Sequence, residues 1–137
     1  MTSREADALA RILVLRDESP DLFHQTLNDH VTRFQPADGV EFGLIEEMAA
    51  AHWRLRRTWA ISTRILESQA AVQPGPDPLD RKAAAFAHPD TQRSLDLFMR
   101  YETRPSACYG RALRALFKLG TLVLRTPALA PNPTLQR

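Results

Sequence analysis

The chain has 137 residues, 44% of them hydrophobic and 25% charged, which fits one ordinary globular domain. Eighteen Lys plus Arg against 16 Asp plus Glu leave a net charge of only +2, so net charge alone selects no partner. A single cysteine, Cys108, excludes an internal disulfide framework and any multi-cysteine metal site.

Residues 1–18 are expected to be extended or frayed, with Arg11 to Arg16 either a short extended piece or a loose helical turn. Their unbroken apolar run, Ile12 to Leu15, is shorter than the ~7–15 residues of a secretory signal core, and Glu5 and Asp7 oppose an organelle transit peptide. No stretch approaches the roughly 20 apolar residues of a membrane span. With one cysteine, these features give a cytoplasmic protein without a membrane partner as the expectation.

Residues 19–125 read as one helical domain. Ser19-Pro20-Asp21 opens a first helix: Ser19 caps free N–H groups, Pro20 suits the first turn and Asp21 faces the positive dipole end. Phe23, Leu27, Val31 and Phe34 form its apolar stripe, and Gln35-Pro36 ends it. Asp38 is the expected cap of a long helix from about Gly39 to Ala71. Its stripe runs Leu44, Met48, Ala51 and Leu55, with Ile45, Trp59 and Leu66 beside it, which places Trp59 on the apolar side. A Pro-rich connector at 73–78 follows, then a short helix from Leu79 to about Ala87 closed by His88-Pro89. A second long helix should run from near Asp90 to about Leu124, kinked or broken near Thr103 because Pro105 lies inside it. Residues 126–137 read as a disordered tail. The expected fold is therefore all-α: two long antiparallel helices, the second kinked near Pro105, completed by short helices into a small bundle or hairpin.

Several words stand out once the segments are placed. They are Arg33-Phe34-Gln35-Pro36, the run from Glu46 through His52-Trp53-Arg54-Leu55-Arg56-Arg57, and Arg100-Tyr101-Glu102-Thr103-Arg104, with Tyr109, Arg111, Ala112 and Leu113. Together, over roughly residues 11 to 120, they resemble an uncharacterised bacterial family of helical proteins found in acidobacterial and other soil genomes. That family has no assigned activity, so the resemblance implies a relative without a mechanism. It also implies a shorter member, because fuller members carry an upstream Gly/Pro/Lys-rich segment ending in a motif like Asn-Ala-x-x-His-Gly, where this chain has Ala6 to Leu9. Pro105-Ser106-Ala107-Cys108 departs from the helical Leu-x-Arg pattern of the relatives.

Charge placement is the clearest functional signal. Arg104, Arg111, Lys118 and Arg125 recur every seven residues with Arg114 alongside, and no acid follows Glu102. The stripe is either a solvated cationic face or a phosphate-contacting ridge, and Arg54 and Arg57 on the first long helix would extend a nucleic-acid surface. Tyr109, Leu113, Leu116, Gly120 and Val123 form a coiled-coil-like seam on another face. Glu46, Glu47 and Glu102 are expected to form interhelix ion pairs with arginines such as Arg54, Arg100 and Arg104.

An enzyme would need a converging site, and the one candidate is Glu46, Glu47 and Glu102 with His52, which would meet only if the two long helices pair. The Glu-x-x-His spacing of bundle metal sites is missing, and His24, His30, His52 and His88 stand at no ligand spacing. Neither a phosphate-binding Gly-Lys-Ser/Thr loop nor a Gly-x-Ser-x-Gly elbow is present. The expectation is a non-enzymatic helical interaction or assembly module without a cofactor, pairing with itself or another protein through exposed helix faces. The alternative is a nucleic-acid-binding accessory protein.

Overall fold

The computed structural model describes residues 3–125, with side-chain surroundings for residues 4–120. Five α-helices and no strands make up the described chain: α1 (Ser3–Leu13), α2 (Pro20–Phe34), α3 (Gly39–Ala71), α4 (Pro78–Ala87) and α5 (Pro89–Arg125). The expected tail at 126–137 and the side chains of Val123 and Arg125 lie outside the described residues.

The N-terminal segment is helical, contrary to the extended or frayed stretch read from its sequence. Ala6, Ala10 and Leu13 recur at helical spacing and are all buried, with Leu9 partly so. Two small alanines and one leucine give a weak apolar signal until a neighbouring helix covers them.

Local chemistry sets the other helix starts. Ser19 Oγ accepts from Leu22 N–H at 3.4 Å, with Pro20 in the first turn. α2 ends with Gln35 in the left-handed region at φ 45°, its N–H bonded to the Val31 carbonyl. Asp38 Oδ1 accepts from Val40 and Glu41 N–H, while the Glu41 carboxylate accepts from Ala37 N–H at 2.7 Å. This reciprocal cap fixes the start of a 33-residue helix that length alone would leave fraying. Asp77 caps α4 in the same manner through Leu79 N–H, and His88 Nδ1 accepts from Asp90 N–H at the start of α5.

α5 runs 37 residues through Pro105 without interruption, so no break occurs near Thr103. Pro105 withholds one donor, but the remaining ladder and the packing of α5 on α3 carry the helix across it.

The core gathers at one end. Ala10 and Leu13 of α1, Phe23 and Leu27 of α2, Ile45, Met48 and Trp53 of α3, and Ala112 and Leu116 of α5 form one buried cluster. Trp53 packs edge-on against Phe23 with ring centroids 5.6 Å apart. Trp59 is 49% exposed, so the core tryptophan is Trp53 and not the one expected. Beyond Thr58, the second half of α3, α4 and the first half of α5 form an arm with little buried besides Ala85 and Thr91.

Candidate functional site

α3 and α5 leave a groove of about 580 Å³ between them. Its α3 wall is Glu47, Ala50, Ala51 and Arg54; its α5 wall includes Tyr101, Arg104, Cys108 and Arg111. The spacings place each set on one face of its helix, so two ordinary helical stripes create the lining. Alanines on the α3 wall make the space, because a larger side chain there would fill the groove. Arg54, Arg104 and Arg111 are exposed and make no ion pair among the described residues. Glu47 is the one carboxylate lining the groove, so three guanidinium groups face one acid.

The structure thus brings together Arg54, Arg104 and Arg111 from the proposed nucleic-acid set. Arg57 is engaged elsewhere. It donates to both oxygens of Glu18 and to the Leu13 carbonyl, which removes it from any cationic surface. Arg114 folds back over Gly110, its Nη1 3.2 Å from where a β-carbon would stand there. Lys118 is exposed farther along α5.

The expected interhelix ion pairs do not form among the described residues: Glu46, Glu47, Arg100 and Glu102 make none. Glu46 faces α1 and not a cation, and burial together with the charge of Glu5 raises its pKa above the usual carboxylate value. Glu47 lines the basic groove without closing onto an arginine, while Arg100 lines an adjoining cleft beside Asp96 and Arg104.

Sequence spacing gave no hint of a second cluster. His30 of α2, His52 of α3 and Tyr109 of α5 meet beside the core. His30 Nδ1 stands 2.8 Å from the Thr26 carbonyl, so it carries the proton, and Nε2 accepts from the Tyr109 hydroxyl at 3.1 Å. The His30 and His52 rings lie 5.9 Å apart. Burial, then His30 and Arg56, lowers the His52 pKa, and burial raises that of Tyr109. This is a polar tie between three helices. Among the described residues, no group of three or more His, Cys, Asp or Glu side chains is arranged to hold a metal ion, and Glu46, Glu47, Glu102 and His52 do not converge into one. Nor is any described helix long and apolar enough to cross a membrane.

Comparison with known protein families, curated proteins and solved structures finds no match to this chain. Its chemistry has to be read from its own residues.

Proposed function

We propose that the protein is a non-catalytic helical assembly module that pairs with a second copy of itself through the arm. In this reading α3 and α5 run antiparallel, with α5 bending at Pro105. Support for the pairing is the core cluster, where the first half of α3 packs with the second half of α5, while α4 touches both helices at the far end.

The observation that carries the reading is the outer face of α4. Leu79 and Phe86, seven residues apart and so on one side of the helix, are 71% and 50% exposed, while Ala85 is fully packed inward. The chain exposes 10510 Å². Allotting the 14 undescribed residues the full surface of an extended chain, about 2,200 Å², leaves roughly 1,600 Å² more than a compact domain of the 123 described residues would expose. A standard interface needs about 800 Å² from each partner. Residues 59–103 carry six acids and five bases, so two arms meet without net repulsion. Sedimentation tests this: a defined dimer is expected, and Leu79→Glu with Phe86→Glu should return it to monomer. A chain that stays monomeric at high concentration overturns the reading.

A second reading, nucleic-acid binding, is favoured by the convergence of Arg54, Arg104 and Arg111 on one groove and by the lack of any acid after Glu102. A gel shift that weakens with salt and is lost in Arg104→Glu/Lys118→Glu supports it; no shift at low salt excludes it.

A further inference from the structure

The groove between α3 and α5 has the chemistry of a small-ligand site. Arg54, Arg104 and Arg111 line it and make no ion pair among the described residues, and an arginine fork donates to two phosphate oxygens at once. Tyr101 lies three residues before Arg104 on the same wall and is 49% exposed, leaving ring surface free for a planar group. Ala50 and Ala51 supply an apolar floor, and the volume of about 580 Å³ falls within the roughly 300–1,000 Å³ of small-molecule sites.

We propose that this groove binds a phosphate monoester bearing a planar aromatic group, the chemical class of a mononucleotide. The three arginines hold the phosphate and Tyr101 stacks on the ring. Glu47, the lone carboxylate of the lining, accepts from a hydroxyl or amine of the ligand. A duplex backbone would be followed by a ridge continuing through Lys118; a groove walled by two helices takes one ester. The inference therefore requires neither self-association nor duplex binding.

Cys108 is the chain's single cysteine and lines the groove, so its alkylation rate reports occupancy. The full chain is alkylated with a maleimide alone and with adenosine 5′-monophosphate, adenosine, inorganic phosphate or a short DNA duplex. Protection is the ratio of rates without and with ligand, which cancels any effect of a variant on the thiol itself. The monophosphate should slow alkylation about fivefold at about four times its Kd. Adenosine should give no protection, inorganic phosphate less than the monophosphate, and Arg111→Glu should abolish protection while the helical signal is unchanged. Equal protection by adenosine, or by inorganic phosphate, overturns the proposal, as does protection that survives Arg111→Glu. Protection by the duplex without protection by the monophosphate also overturns it, while leaving the nucleic-acid reading standing.

Discussion

Arg57, in the middle of α3, holds Glu18 in the loop after α1. Its Nη2 donates to Glu18 Oε2 at 2.7 Å, its Nε to Oε1, and Trp53 Nε1 reaches the same Oε2 at 3.1 Å. Nη2 also donates to the Leu13 carbonyl, which would otherwise be unsatisfied at the end of α1. Both charged side chains are 22% exposed. The connection fastens α1 and its following loop to the central helix, beside the Phe23–Trp53 contact.

The Arg57 hydrogen bonds lower the Glu18 pKa from 4.5 to about 2, outweighing the opposing effect of burial. Because the folded value is depressed, this contribution is fully present above pH 4.5 and is lost as pH falls towards 2. Glu18→Gln should therefore lower the unfolding free energy by about 2 kcal/mol at pH 7, a gap that narrows below pH 4.5. Denaturant titrations at a series of pH values check it. A gap independent of pH would show that the carboxylate charge is not what holds the loop.

His52 gives a second pH dependence. Its pKa is lowered in the fold, so below pH 6.5 the unfolded chain takes up the proton first. Stability should decline as pH falls from 6.5 through the lowered value, and His52→Gln should flatten that decline. Thermal melts at pH 7.5, 6 and 5 compare the two slopes.

Glu46 has the opposite sign. A raised folded pKa means its contribution is retained below pH 4.5 and lost as pH rises through the raised value. At pH 7 its charge opposes that of Glu5. Glu46→Gln should raise stability by about 0.3 kcal/mol, or about 1–2 °C in Tm, with the gain fading at pH 4. A lower Tm at pH 7 would mean that Glu46 accepts a bond the glutamine cannot replace.

Pro105 withholds a backbone donor in the interior of α5. Pro105→Ala restores one helical bond and relieves a clash, so a gain of about 1–2 kcal/mol is expected after the looser unfolded chain is counted. Equilibrium unfolding measures it. A loss would show that Pro105 packing on the His52 and Tyr109 cleft outweighs the backbone defect.

Sequence carried the fold a long way because helix ends are local events. Ser19-Pro20, Asp38 and His88-Pro89 marked starts or stops that the backbone bonding reproduces. Two elements escaped for physical reasons. α1 buries mostly alanine, whose small apolar surface leaves little periodic signal. Trp53 and Trp59 are six residues apart, so they stand about 120° apart around α3, and only the positions of α1 and α2 decide which is covered. The groove was partly legible: the seven-residue recurrence of Arg104 and Arg111 placed them on one face, while Arg54 joined them only when α3 packed on α5.

By itself, then, the sequence determined the helical class, most element boundaries and the stripe of unopposed cations, since each depends on residues within a few turns of one another. Tertiary structure alone decided which charges are free and which are held. Glu18 and Arg57 are 39 residues apart and His30 and Tyr109 are 79 apart. Partnership over such separations depends on how helices cross, and helical periodicity within one segment carries no information about that crossing.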